Sequence, residues 1–263
     1  MVWSHYRAHA RSMPWRERRT PYRVFVSELM LQQTGIARVL RHYAPFLRAF
    51  PSFRALSRAP VSEVLAAWHG LGYNRRALAL RESARIVVAR HRGRLPRSLE
   101  GLLALPGVGR ATAGAVLCYA YDLPVPFIET NVRRVFLHFF FPRSKEVRDE
   151  RILPLVERTM DARRPREWFY ALMDYGTMLS RGTVNANRRS RAYKRQSPFE
   201  GSRRQLRGRI LAALLRLGSA SMREIGAEIR RETGRKDARL TDALRGLVDE
   251  GFLQKRRERF SLK

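Results

Sequence analysis

Apolar residues recur at spacings of three and four along most of this 263-residue chain. That periodicity buries one stripe of a helix and excludes an alternating, strand-built core. It runs through "VFVSELMLQQTGIARVLRHYAPFLRAF" (24–50). "PVSEVLAAWHGLGYNRRALALRESARIVVARH" (60–91) reads as two helices about a turn at Gly70 and Gly72. "SLEGLLAL" (98–105) is a short helix with Ser98 as its N-cap, and "RATAGAVLCYAY" (110–121) is another built on small residues. "DLPVPFIET" interrupts the pattern with two prolines. "NVRRVFLHFFF", "EVRDERILPLVERTM" and "REWFYALMDYGTML" then resume it.

Between two of these runs stands "LPGVGRATAG" (105–114). Proline and two glycines cost helix stability and mark a turn. A turn that opens into a helix presents backbone N–H groups to an anion. Composition narrows the anion. The chain carries 53 Lys+Arg against 23 Asp+Glu, a formal net charge of +30. A polyanion relieves that self-repulsion, which points to nucleic acid. The first lysine is Lys145, so nearly all of the charge before it is arginine, whose fork matches phosphate.

A membrane is a weaker partner, because no apolar run approaches the ~18 residues of a spanning helix. The N-terminal stretch has no apolar signal core, which leads us to expect a cytosolic, nucleoid-associated protein. Cys118 is the only cysteine. Disulfides and cysteine-ligated zinc or iron–sulfur clusters within one chain are therefore excluded. His5 and His9 share a helix face, but two ligands are too few for a metal site and read as a solvated pair.

Composition shifts at "SRGTVNANRRSRAYKRQSPFEGSRR" (180–204), a polar, basic stretch read as a surface loop and linker. Three short helices follow, the second capped by Ser221, and then "FLQKRRERFSLK", which alternates enough for a β-ribbon. Three helices before a basic ribbon suggest a winged helix-turn-helix over 198–263.

Several blocks together resemble a known family. "LPGVGRATAG" is similar to the hairpin of the helix–hairpin–helix DNA glycosylases. "MPWRERRTPYRVFVSELMLQQT", "WHGLGYNRRALAL", "FIETNVRRV" and "MDYGTML" resemble, in order, MutY-type A/G-specific adenine glycosylases. The resemblance covers about residues 10 to 180. It implies an all-α, two-lobed fold over 1–197, with a central lobe near 24–126 and a second lobe from the N-terminus plus about 127–197. It also implies a target base flipped out of double-stranded DNA. Pro106, Gly107, Val108, Gly109 and Arg110 then form a phosphate-holding hairpin, often with a bound monovalent cation in this superfamily.

Glu28, in "VFVSELML", is flanked by apolar residues that would raise its pKa, so that it could hold a proton near neutral pH. The family's catalytic Glu falls on this position. Excising a purine needs such an acid, because the neutral base leaves more easily than its anion. Gln32 and Gln33 match residues that enter the duplex where the base leaves; without the resemblance they are polar helix positions. Tyr73 matches an aromatic of the family's "GLGYN" block, and Asn74 falls where the family commonly has a second aromatic that wedges beside the damaged partner base, which Asn cannot do in the same way. Asn131 either positions the active-site carboxylate, as in the family, or simply caps the helix that follows it.

The chain also departs from the pattern. Asn74 stands where a second aromatic is common, and Glu129 where the family has Asp. The cluster-binding cysteines are absent, and the usual C-terminal domain is replaced by the helix-turn-helix-like unit. At the position of the lysine used by strand-nicking relatives stands Ala111. The expected function is a monofunctional, monomeric DNA glycosylase acting on a mismatched or damaged base, adenine foremost. Mismatched thymine or uracil is the alternative substrate. A non-catalytic DNA-binding protein on the same scaffold is the rival from another class.

Overall fold

The computed structural model describes residues 1–182, 184–235 and 237–263; Thr183 and Lys236 lie outside the described residues. Helices dominate. In chain order they begin with α1 (Val2–His9), α2 (Pro14–Glu17), α3 (Pro21–Leu31) and α4 (Ile36–Ala49). Next come α5 (Phe53–Arg58), α6 (Val61–Trp68), α7 (Arg75–His91), α8 (Leu99–Leu103) and α9 (Arg110–Tyr121). Then follow α10 (Thr130–Phe140), α11 (Asp149–Thr159) and α12 (Pro165–Leu179), with a 3-10 turn at Ala186–Arg189. The C-terminal part runs α13 (Arg203–Leu217), β1 (Ser219–Ser221), α14 (Met222–Thr233), α15 (Leu240–Asp249), β2 (Leu253–Arg256) and β3 (Arg259–Leu262).

By compactness the chain divides into two units, Met1–Leu29 with Leu95–Arg195, and Met30–Arg94 with Gln196–Lys263. The boundary falls inside α3, so a single helix contributes to both. The hairpin helices α8 and α9 group with the N-terminal segment, and the C-terminal residues group with α4–α7.

In the first unit, α10 packs along α12, and α1 lies on α12. Its core gathers Val24, Tyr119, Phe127, Val132, Phe136, Ile152, Phe169 and Tyr170. Phe127 and Phe169 stack with centroids 4.1 Å apart, which joins the proline-broken segment to α12. Glycine permits two close crossings. A Cβ on Gly114 would stand 2.7 Å from the Phe127 Cβ, and one on Gly176 would stand 2.6 Å from the Asn131 carbonyl oxygen. Cys118 is buried in this core, where burial pushes its thiol pKa up.

In the second unit, Trp68, Tyr43, Phe46, Leu56, Leu71 and Leu80 are fully buried. The C-terminal helices close on Ile210, Leu214, Ile225, Leu244, Leu247 and Phe252. Their sheet has the order β1-β3-β2, antiparallel throughout, with Ala220 opposite Phe260 and Lys255 opposite Phe260 along the two ladders. The three helices and the ribbon match the pattern read from sequence; the short β1 is an addition, too brief to leave an alternating signature.

Ser98 caps α8 through the Gly101 N–H, and Ser221 caps α14 in a reciprocal box with Glu224. The run 24–50 is not one helix. It breaks at 32–35, where Gln33 takes φ 53 and Gly35 begins α4. Gln32 and Gln33 are therefore turn residues rather than helix positions. No helix of the described residues is long and apolar enough to cross a membrane.

Candidate active site and nucleic-acid interface

Glu28 lies on α3 between Ser27 and Leu29, both buried. Glu28 itself is half-buried. Burial and the negative charge of Glu129 raise its pKa to about 8, against an opposing pull from Arg16. The acid form thus persists at neutral pH, as the flanking sequence leads one to expect.

Glu129 is the N-cap of α10. Its Oε1 accepts the Asn131 N–H at 2.6 Å and the Val132 N–H at 2.8 Å. Burial raises its pKa, while those N–H groups, Arg133 and Arg134 pull against the rise. The charge of Glu129 disfavours ionisation of Glu28, and Glu28 is the one held strongly in the acid form.

The capping alternative for the Asn131 side chain does not hold. Glu129 caps the helix, and Asn131 contributes its backbone N–H to the carboxylate. The Asn131 Oδ1 accepts from Arg134 Nη1 at 2.6 Å, and the same Nη1 reaches the Gly176 carbonyl at 2.8 Å. Asn131 thus sits in the α10–α12 crossing that Gly176 makes possible.

Arg16 and Asp174 received no role from sequence. The Arg16 guanidinium donates Nη1 to Asp174 Oδ2 at 2.9 Å and Nη2 to Oδ1 at 2.8 Å. Arg11 adds its Nε at 2.7 Å and its backbone N–H at 3.0 Å to the same carboxylate. Arg16 also lies 4.3 Å over the Tyr170 ring, which stacks on Tyr119 at 4.7 Å. Burial raises the pKa of both phenols, and the charge of Glu28 adds to the rise, so both rings feel that carboxyl. The Tyr119 hydroxyl is buried and has no hydrogen-bond partner among the described residues. The available sequence signal was an aspartate in the otherwise uncharged block "MDYG" and an arginine directly after the Pro-Trp pair of "PWRER".

The hairpin lies in this unit. Gly107 adopts φ 76, which favours glycine, and the Val108 N–H closes the turn on the Leu105 carbonyl at 3.2 Å. Val108 is buried, so it anchors the turn. Gly109 begins α9 with φ −96 and open space where a Cβ would stand. Neither its conformation nor its neighbours require glycine there, which leaves room for close approach from outside. Gly107, Gly109 and Arg110 are exposed, and Pro106 is half-buried.

In the other unit, Arg76 brings two loops together. Its Nη1 donates to the Met30 and Gln32 carbonyls at 2.7 and 2.5 Å. Its Nη2 donates to Thr34 Oγ1 and the Gly72 carbonyl, both at 2.9 Å. Gln32, Gln33 and the "GLGYN" turn are thereby tied together, with Gln33 and Tyr73 both at positive φ. Burial lowers the Arg76 pKa to about 10. Asn74 begins α7 without a side-chain capping bond.

The profile of the HhH-GPD superfamily base excision DNA repair proteins matches residues 26–157, half of the chain. The chain belongs to this superfamily. An adenine DNA glycosylase of Mycobacterium tuberculosis is 46% identical over 131 residues, covering 49% of this chain and 43% of the relative. The human adenine DNA glycosylase is 36% identical over 185 residues, covering 66% of this chain and 34% of the relative. The chain spans half or less of the length of the curated relatives it matches. Among solved structures, a thermostable thymine-DNA glycosylase superposes with a TM-score of 0.60 at 27% identity, covering 67% of this chain and 83% of that one. An endonuclease III–DNA covalent complex shares the fold at 17% identity and a TM-score of 0.59, covering 70% and 86%.

The resemblance read from sequence would imply an iron–sulfur cluster held by several cysteines. This chain has one cysteine, and it lies in the core, so its residues do not fit that group. Among the described residues no group of three or more His, Cys, Asp or Glu could hold a metal ion.

Proposed function

We propose that this chain is a monofunctional DNA glycosylase that removes adenine from a mismatch in double-stranded DNA. The observation that carries the proposal is the carboxyl pair: Glu28 protonated to about pH 8, beside Glu129 anchored on the first turn of α10. Glu28 donates its proton to a ring nitrogen of the flipped base. The bond from that base to the sugar C1′ then breaks with both electrons leaving on a neutral base. The sugar becomes an oxocarbenium ion, which the Glu129 carboxylate stabilises electrostatically. Water adds to C1′, and its proton returns to the carboxylate of Glu28. Asn131 supports Glu129 through its backbone N–H and through its place in the α10–α12 crossing.

Gln32, Gln33, Tyr73 and Asn74 enter the duplex on this reading. Pro106, Gly107, Gly109 and Arg110, seated on Val108, hold a backbone phosphate. A monovalent cation fits the 105–108 turn by donor chemistry, since backbone carbonyls are oxygen ligands for a hard ion; it would add positive charge beneath the phosphate. We read 1–197 as the glycosylase domain and 198–263 as a winged helix that adds affinity. The protein acts as a monomer in the cytoplasm, on the nucleoid.

Removal of mismatched thymine is the second reading, favoured by the 27% identity to a thymine-DNA glycosylase. Single-turnover base release from duplexes carrying adenine, thymine or uracil opposite each partner base decides between them. Release of adenine alone supports the first reading, and release of thymine or uracil the second. Release of nothing supports a DNA-binding role. Ala111 near the start of α9, with no lysine before Lys145, predicts no lysine-based strand nicking. Efficient borohydride trapping on abasic DNA would contradict that.

A further inference from the structure

We propose that Arg204 is a positioning residue that sets the orientation of Tyr73, so that the C-terminal residues take part in reading the base opposite the excised one. This rests on Tyr73 standing at the duplex, as proposed above.

Arg204 is the second residue of α13. Its Nη1 donates to the Tyr73 hydroxyl at 2.8 Å, and its guanidinium carbon lies 5.8 Å from the centre of the Tyr73 ring. Arg204 is itself held, because its Nη2 donates to the Ser197 carbonyl at 2.8 Å. Tyr73 needs such support. It adopts φ 49, a left-handed conformation that is strained for an aromatic residue. Arg76 secures its backbone from α7, through the Gly72 carbonyl at 2.9 Å and the Tyr73 carbonyl at 3.4 Å. Arg204 secures the far end of the side chain from α13.

A second contact fixes the same pair of helices. Glu250 accepts Arg75 Nε at 2.7 Å, Arg207 Nη1 at 2.9 Å and Arg207 Nη2 at 2.6 Å. The hydrogen bond from Arg75, with those from Arg207, outweighs partial burial and holds the Glu250 pKa at about 2. The brace is therefore charged at neutral pH. Arg204 and Arg207 are three residues apart and share one face of α13. That face meets the first turn of α7 through Glu250 and meets Tyr73 directly. Asn74, the next residue, has no ring to steady Tyr73 by stacking. Arg76 of α7 lies 5.4 Å from the centre of the Tyr73 ring and steadies its face, while the hydroxyl, and with it the direction of the phenol, is fixed from α13.

The test uses the full-length protein in single-turnover release of adenine placed opposite guanine, 8-oxoguanine or cytosine. A parallel set of duplexes carries fluorescent 2-aminopurine as the opposite base, to report its unstacking. Arg204→Ala and Tyr73→Phe should each narrow the ratio between the best and worst partner by about tenfold, the scale of one hydrogen bond to a charged group. The double variant should narrow it no further, because both remove one contact. Arg204→Lys, which keeps the charge and a donor, should recover part of the ratio, and the 2-aminopurine signal should follow. If Tyr73→Ala narrows the ratio but Arg204→Ala does not, the positioning role is overturned and Tyr73 keeps its place at the duplex. If Tyr73→Ala leaves the ratio unchanged, both fall. Equal slowing with every partner, without recovery in Arg204→Lys, would make Arg204 a structural residue only and overturn the inference.

Discussion

At the scale of single residues, two carboxyls carry the chemistry, and pH distinguishes their roles. Glu28 acts as an acid only while protonated, so single-turnover release should fall as pH rises through about 8. Glu28→Gln should lower the rate roughly 10²–10⁴-fold and flatten that profile while DNA affinity persists. Stability responds to the same group. A carboxyl whose folded pKa is raised contributes stability that is full below its unfolded pKa and is lost as pH rises through its folded value. Glutamine does not ionise, so the stability of Glu28→Gln relative to the parent should grow from about pH 5 to about pH 9 in denaturant melts. A difference that stays flat would mean the carboxyl is solvated. Glu129 is tested by length and charge. Its Oε1 already holds two N–H groups, so the glutamate side chain fits this backbone. Glu129→Asp retracts the charge by about one bond, and a misplacement near 1 Å can cost roughly 10²-fold. Glu129→Gln removes the charge and should be slower still. A faster Glu129→Asp enzyme would mark the natural site as impaired.

At the scale of elements, the site depends on how closely α10 and α12 approach. Gly176→Ala places a methyl 2.6 Å from the Asn131 carbonyl oxygen, where backbone must give way. Overpacking of this kind costs roughly 1–3 kcal/mol. It also displaces the turn on which Glu129 is capped, so the loss of rate in single turnover should exceed the loss of stability in a melt. A thermal shift without a rate change would separate the crossing from the site. Asp174 is the other element-level joint. Burial raises its pKa, but hydrogen bonds and charge from Arg16, with bonds from Arg11, outweigh that and hold it below the ordinary value. Its contribution is therefore present above the unfolded pKa and lost as pH falls through the folded one. Asp174→Asn leaves buried Arg16 without its counter-charge and should cost roughly 3–5 kcal/mol in urea melts at neutral pH. The helices, the two serine caps and the C-terminal helix–ribbon order were legible in sequence because they rest on local spacing. The break at 32–35 was not, since apolar residues continue in phase on both sides and the turn depends on Arg76 from another helix. The Arg16–Asp174 joint was equally hidden, for it unites residues 158 apart. The Glu28 environment was half legible: its apolar neighbours on α3 are local, whereas Glu129, Arg16 and the Tyr119–Tyr170 stack arrive from distant segments.

At the scale of the whole molecule, the net charge of +30 needs an acceptor, and the ribbon shows where part of it is concentrated. Arg256 and Arg259 face each other across β2 and β3, and Arg257 turns the ribbon at φ 52. All three are exposed. Like charges directly opposite destabilise a ladder, and Glu224 and Ser219 offset only the Arg259 side. A phosphate backbone would neutralise the rest. Each phosphate contact releases condensed counterions and steepens the log–log salt dependence of binding by roughly 0.9. Arg256→Ala with Arg257→Ala should therefore weaken binding most at low salt and flatten the slope by up to about two units, with the rate at saturating enzyme unchanged. Point variants serve better here than truncation, because the C-terminal residues share a compact unit with α4–α7 and their removal would also uncover that core. A weakened affinity with an unaltered slope would show that the ribbon acts through packing. An unaltered affinity and slope would place the excess charge on some other partner than DNA.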